Sequence, residues 1–227
     1  MGTMSNRERA IHLTKSTGVL PAMKLKQNEQ PEDVLRWVWA MYEGGARVVE
    51  ITMTSPGVLD HLKAIVTEFQ DRLFVAAGTT LDAASARDAI AAGAQVIVSP
   101  AVIPEVIATA RRYGVACYSG AFTPTECLNA MQLGADMVKI FPAALAGPAY
   151  MSNLKMVFPE VDLIPSGGIS PENAGSFIKH GACAISGARN FFDRQAVERE
   201  GVSWITQQVA RYIDIVAKAR AEAGPLP

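Results

Sequence analysis

Apolar and polar positions along this chain fall in blocks rather than alternating residue by residue. Five times a segment with helical spacing ends in glycine and an apolar run of β type follows: Gly45-Ala46-Arg47-Val48-Val49-Glu50, Gly93-Ala94-Gln95-Val96-Ile97-Val98, Gly114-Val115-Ala116-Cys117, Gly134-Ala135-Asp136-Met137-Val138-Lys139 and Gly181-Ala182-Cys183-Ala184-Ile185. Glycine just past a helix end takes the left-handed cap, after which the chain turns into a strand. The glycines at 45, 93, 114, 134 and 181 are 48, 21, 20 and 47 residues apart, so each outer gap holds one more unit. Runs at 73–77 and 161–165 fill those gaps, and a run at 18–24 opens the series. Helices are expected over 32–43, 56–69, 82–92, 104–113, 124–133, 148–157, 171–180 and 202–223. Five of them begin at a proline, which is favoured in the first helical turn.

Continuous apolar strands alternating with helices belong to a parallel sheet covered on both faces. Eight such units close into a single-domain (β/α)8 TIM barrel over 18–227 with a long last helix, behind a lead-in segment or helix over 1–17. An open doubly wound sheet would require Gly-x-Gly-x-x-Gly after the first strand, and none is there.

Composition narrows the partners. At 227 residues, 49% hydrophobic and 19% charged, the chain can bury a substantial core in one domain. A net charge of -1 without a Lys/Arg block leaves no footprint for nucleic acid or an anionic membrane. The longest apolar stretch, 89–110, is broken by Gly93, Pro100, Pro104 and Glu105 and does not read as a membrane span. The polar start lacks the apolar segment of a secretory signal, and Met1-Gly2-Thr3 reads as an expression remnant. Cys117, Cys127 and Cys183 have no Cys-x-x-Cys spacing and read as reduced packing residues. His12, His61 and His180 share no common spacing and are read as surface residues, so neither a metal nor another cofactor is expected. The expectation is a cytoplasmic protein acting on a small molecule.

In a (β/α)8 barrel, chemistry lies at the carboxyl ends of the strands. Those ends carry Lys24, Glu50 with Thr52 and Thr54, Thr79, Ser99, Ser119, Lys139, Ser166 and Ser186. By strand alternation Glu50, Thr52 and Thr54 share one face. Lys139 and Glu50 are unusual in standing inside their apolar runs, before Ile140-Phe141 and Ile51-Thr52. Burial disfavours the charged form of an amine and frees a lone pair for attack on a carbonyl. The resulting carbinolamine and iminium need a general acid/base nearby, and Glu50 is the inward carboxylate available. A non-catalytic buried ion pair is the bland alternative. Asp136, at the start of its strand, belongs to the opposite floor, and Glu126 and Glu172 lie at helix starts, where the dipole favours them. Gly167-Gly168 and Gly187-Ala188 follow the seventh and eighth strands, where barrel loops often cup a phosphate, with Arg189 or Lys24 supplying charge.

The chain resembles the class I pyruvate-dependent aldolases acting on 2-keto-3-deoxy-6-phosphogluconate, its galactonate epimer and 4-hydroxy-2-oxoglutarate. The resemblance rests on Val48-Val49-Glu50-Ile51-Thr52, Ala77-Gly78-Thr79, Val98-Ser99-Pro100, Val138-Lys139-Ile140-Phe141-Pro142-Ala143, Gly147-Pro148-Ala149-Tyr150, and Ser166-Gly167-Gly168-Ile169 followed by Pro171-Glu172-Asn173. It implies that Lys139 forms the Schiff base, that Glu50 is the acid/base acting through a water, and that Thr79 binds the pyruvate carboxylate. Thr54, Lys24, Pro142, Ser166, Gly167, Gly168, Gly187 and Ala188 would complete the substrate site. The partners implied are pyruvate and an aldehyde such as a sugar phosphate, and the assembly implied is a homotrimer.

Four positions depart from the family pattern. Thr54 stands where gluconate-type members have arginine, Lys24 where many have arginine, Ala188 where many have a serine or similar donor, and Ser119 where proline is frequent. The run Thr54-Ser55-Pro56 looks more like the phosphogalactonate branch. Two rivals remain at this level: a sugar-phosphate isomerase or epimerase using Glu50 as base, and a sugar-acid-binding relative without activity.

Overall fold

Eight parallel strands alternate with helices in the computed structural model, which describes residues 4–223. Met1-Gly2-Thr3 and the last four residues of the expected 18–227 barrel lie outside that range. The order is α1 (Asn6–Thr17), β1 (Val19–Met23), α2 (Pro31–Glu43), β2 (Val48–Thr52), α3 (Val58–Phe69), β3 (Phe74–Gly78), α4 (Ala83–Ala91), β4 (Val96–Val98), α5 (Pro104–Tyr113), β5 (Ala116–Ala121), α6 (Pro124–Leu133), β6 (Met137–Ile140), α7 (Ala143–Ala146), α8 (Pro148–Val157), β7 (Leu163–Pro165), α9 (Pro171–Lys179), β8 (Ile185–Gly187), α10 (Arg194–Glu200) and α11 (Ser203–Glu222). The sheet runs β7-β6-β5-β4-β3-β2-β1-β8, and bridges Leu163 to Ala182 and Ser166 to Ser186 join its two ends into a barrel.

Three expected helices, 104–113, 124–133 and 148–157, coincide with α5, α6 and α8. The helix expected from Pro56 starts instead at Val58, because Gly57 turns the chain through a left-handed φ of 63°. In exchange α2 begins at Pro31, one residue earlier than expected. The tail holds a short α10 ahead of α11, the two separated at Gly201 with φ 82°.

His61, expected at the surface, is instead buried in α3, with Nδ1 unpartnered among the described residues. Val58, His61, Leu62, Ile65 and Phe69 form one inward stripe at helical spacing, and the imidazole takes a core position in it.

Outer faces of the strands and inner faces of the helices make one large apolar layer, and a second cluster fills the lumen. In an eight-stranded barrel of shear eight, a level ring of lumen side chains climbs one residue per strand, so alternate strands supply each layer. From the observed registers, the lower layers are Val48, Val96, Met137 and Ala184, then Leu20, Ala76, Tyr118 and Ile164. All eight are buried in the lumen cluster.

Helix α1 seals the amino-terminal end of the barrel. Its Ala10 joins the lumen cluster, Thr14 Oγ1 lies 2.8 Å from the Tyr118 hydroxyl, and Arg7 Nη2 pairs with Asp136 at 2.6 Å. Asp136 also accepts the Cys117 N–H at 2.9 Å, so the carboxylate is a floor staple rather than a reactive group.

Around the mouth, Thr123 and Glu126 form a capping box that starts α6. Glu126 Oε2 accepts N–H bonds from Phe122 at 2.8 Å and Thr123 at 2.7 Å, and the Thr123 hydroxyl at 2.9 Å. These bonds, the Phe122 N–H foremost, hold the Glu126 carboxyl below its ordinary range. Glu126→Ala is expected to cost about 1 kcal/mol and to lower Tm by roughly 2–4 °C. Because the folded-state value is depressed, this contribution is complete above the unfolded carboxylate range near about 4.3 and is lost as pH falls through the folded value. Melting both proteins from neutral to acid pH should show the two curves converging; a gap that widens on acidification would contradict the capping assignment.

Candidate active site

Continuing the ring construction upward places the two ionisable strand residues at one level. From Glu50, through Ala76 to Val96, the level position on β4 is Val98. From Val98, through Tyr118 to Met137, it is Lys139 on β6. From Lys139, through Ile164 and along β7 to the Ser166–Ser186 bridge, it is Ser186 on β8. From Ser186, through Leu20 and along β1 to the Ala22–Glu50 pair, it returns to Glu50. The third layer is therefore Glu50, Val98, Lys139 and Ser186, with the carboxylate and the amine on diametrically opposed strands.

Both long side chains cross the lumen and meet. Lys139 Nζ donates to Glu50 Oε2 at 3.5 Å, with the side chains 11% and 2% exposed. A buried pair of this kind costs several kcal/mol per ion in desolvation and gives little net stability, which is reason to look for chemistry.

The layer above consists of Ala22, Gly78, Gly120 and Ser166, by the same registers. Small residues here are required. A Cβ at Gly78 would overlap the Glu50 carboxylate, and one at Gly120 would overlap the Pro100 backbone. The amine thus lies at the bottom of a well whose walls have almost no side chains, and only the carboxyl end is open to solvent.

At the rim, Thr79 follows β3 with φ 56°, a left-handed conformation that is a true outlier for a β-branched residue. Strain of order 1–3 kcal/mol persists where surroundings over-determine it, and such sites cluster at functional centres. Its neighbour Thr80 is tied down by N–H to the Val98 carbonyl at 3.1 Å and by Oγ1 to the Ala77 carbonyl at 3.0 Å.

The loop after β7 is laced to the turn after β6: the Ala143 and Ala144 N–H groups bond the carbonyls of Ser166 and Gly167 at 2.7 and 2.9 Å. Gly167 and Gly168 have φ of 84° and 79°, and a Cβ on Gly168 would overlap Ala144. This places Pro142, Ser166, Gly167 and Gly168 along one side of the mouth.

Lys24 and Ala188 meet in a cavity of about 320 Å³ at the β1 and β8 ends, which Lys26, Arg189 and Arg194 also line. Gly187 ends β8 beside it. Arg194 is pinned, donating to the Lys24 carbonyl at 2.6 Å and to Glu29 Oε2 at 2.9 Å. Lys26 and Arg194 lie farther past the ends of β1 and β8 than Lys24 and Arg189, so no strand-end pattern marks them in the sequence.

Thr54 is not on the strand face expected for it. β2 ends at Thr52, Thr54 sits exposed in the following turn, and its hydroxyl donates to Thr52 Oγ1 at 3.2 Å. Ser55 is the inward residue there, accepting the Leu25 N–H at 2.9 Å. Among the described residues no group of three or more His, Cys, Asp or Glu side chains is arranged to hold a metal.

Residues 11–208 match the family described as KDPG and KHG aldolase. The chain belongs to that family. It is a carbon–carbon lyase of the class I type. Among curated relatives it is 34% identical over 203 residues to 2-dehydro-3-deoxy-6-phosphogalactonate aldolase of Escherichia coli K12, covering 88% of this chain and 96% of that one. It is 33% identical over 199 residues to 2-dehydro-3-deoxy-phosphogluconate aldolase of Treponema pallidum, covering 87% and 93%. A native KDPGal structure superposes with a TM-score of 0.82 at 28% identity, over 89% of this chain and 96% of that one. The KDPG aldolase of Legionella pneumophila, with pyruvate captured as a covalent carbinolamine, gives 0.79 at 26% identity, over 88% and 96%. No helix among the described residues of this aldolase is long and apolar enough to cross a membrane.

Proposed function

We propose that this aldolase reversibly cleaves a 2-keto-3-deoxy sugar acid phosphorylated at C6 to pyruvate and glyceraldehyde 3-phosphate, with Lys139 as the Schiff-base nucleophile and Glu50 as the acid/base. The observation that carries this reading is the buried 3.5 Å contact between Lys139 Nζ and Glu50 Oε2 at the bottom of a one-ended well.

Glu50 takes a proton from the Lys139 ammonium, and the free amine attacks C2 of the keto acid. Glu50 returns that proton to the carbinolamine oxygen, and loss of water gives an iminium, into which the electrons of the C3–C4 bond flow while Glu50, again a carboxylate, receives the C4 hydroxyl proton. The product is an enamine rather than an unstabilised carbanion. Protonation at C3 and hydrolysis then release pyruvate. Thr79, held at the rim in its strained conformation, addresses the substrate carboxylate. The phosphate lies between Gly167-Gly168 and Gly187-Ala188, with Lys24 supplying charge.

Loss of a bidentate arginine at Thr54 changes carboxylate and hydroxyl recognition, and with the Escherichia coli relative it favours the galactonate-type epimer. The working assembly is a cytoplasmic homotrimer. Exposed Phe141 and Leu145 beside the mouth support association, and three free cysteines support a reducing compartment.

Incubation with pyruvate and borohydride should add one reduced adduct, mapped to the peptide carrying Lys139. A coupled pyruvate assay over phosphorylated and unphosphorylated gluconate- and galactonate-type acids and 4-hydroxy-2-oxoglutarate should favour a 6-phosphorylated substrate. A clean peptide map without the adduct removes the mechanism, and proton exchange without carbon–carbon cleavage would make the protein an isomerase.

A further inference from the structure

Ser186 is the fourth member of the layer that holds Glu50 and Lys139, and nothing in the reading above uses it. Its residue is fully buried, and its Oγ has no hydrogen-bond partner among the described residues. An unpaired buried hydroxyl costs stability, so a fold that keeps one invites an explanation in function. Alanine or glycine would fill this strand position without that cost.

The geometry of the ring is specific. Glu50 and Lys139 reach across the lumen from opposite strands, and the two remaining members flank their meeting point, Val98 from one side and Ser186 from the other. One flank is therefore apolar and the other carries a single hydroxyl. Ser186 is also bridged to Ser166, whose side chain belongs to the open layer directly above. A polar track thus runs down the β7–β8 seam to the level of the amine.

We infer that Ser186 is a further catalytic residue, whose hydroxyl binds the oxygen that leaves during Schiff-base formation and returns during its hydrolysis. This rests on the aldolase mechanism proposed for Lys139. When the amine has added to the keto carbon, Glu50 returns its proton to the carbinolamine oxygen. The C–O bond breaks, the nitrogen lone pair forms the C=N bond, and one water is released into a well whose other wall is Val98. Ser186 Oγ donates a hydrogen bond to that oxygen as the bond breaks and retains the water beside the iminium. In the reverse step the same water attacks the iminium carbon while Glu50 accepts its proton.

Ser186→Ala and Ser186→Cys test this, the second keeping the volume while weakening the donor. Timed borohydride quenching of protein mixed with saturating pyruvate reads the rate of imine formation. Both variants are expected to form the Lys139 adduct about tenfold more slowly and to lose kcat with little change in KM, the size of one hydrogen bond made in the transition state. Ser186→Ala is expected to melt at the same temperature as the unaltered protein or higher, because it removes an unpaired buried group. Equal quench rates in the variants and the unaltered protein would overturn the inference, and so would a clear fall in Tm for Ser186→Ala, which would assign the hydroxyl to the fold. Failure of the unaltered protein to form any adduct is a different result and counts against the aldolase mechanism itself.

Discussion

Lys139→Met should abolish cleavage, lowering kcat/KM by about ten-thousand-fold or more, because the covalent electron sink disappears and only binding remains. The same variant should show no adduct with pyruvate and borohydride. A stability effect comes with it. Methionine fills the lysine stem's volume but leaves Glu50, 2% exposed, without its cationic partner, and breaking one side of a buried pair costs about 3–5 kcal/mol. The double variant Lys139→Met with Glu50→Gln should recover much of that loss and none of the activity. Substantial cleavage by the single variant, with Glu50 intact, would assign catalysis to the carboxylate and reduce the lysine to an electrostatic role.

Gly78→Ala should also damage catalysis, though less severely, without replacing a reactive group. The added methyl would occupy the space of the Glu50 carboxylate, whose Oε1, Cδ and Cγ are its three nearest neighbours. Backbone at Gly78 is held by ladder pairing to Thr52, so the side chain must yield. A displacement of about 1 Å in a positioned acid/base costs on the order of a hundredfold in kcat. Circular dichroism should change little, while Tm should fall, since the methyl displaces a buried carboxylate from its partner Lys139. Gly78→Ala with unaltered kcat would show that Glu50 works from some other rotamer, and the 3.5 Å geometry would lose its significance.

Much of this was legible in the chain. The glycine-then-apolar phrase reports both ends of each βα unit, so element order and barrel closure follow from it. Lys139 and Glu50 are conspicuous because each interrupts an apolar strand before its end. Their contact across the lumen is a different matter: it depends on register accumulated over four strand pairs, which no local pattern encodes. Ser186 is visible as a polar strand end for the same reason as Lys139, yet its membership in the reactive layer emerges only when the ring closes. Helices α7 and α10, of 4 and 7 residues, are too short for periodicity to register. Thr54 was placed by alternation on a strand that stops at Thr52, and the turn chemistry of Thr52 and Ser55 overrides it. His61 is the instructive miss, since the stripe Val58, His61, Leu62, Ile65, Phe69 includes it at helical spacing while residue type suggested the surface.

Helix α1 gives the barrel only one doorway. With Ala10, Thr14 and the Arg7–Asp136 clasp closing the far end, nothing passes beyond Tyr118. Reactants must queue. With Lys139 as the proposed Schiff-base residue, the three-carbon fragment would stay tethered at the bottom while the aldehyde, nearer the opening, departs ahead of it, and in the synthetic direction the keto acid would be seated before the aldehyde arrives. The sequence of entry and exit is thereby imposed by a plug some distance from the bond that breaks.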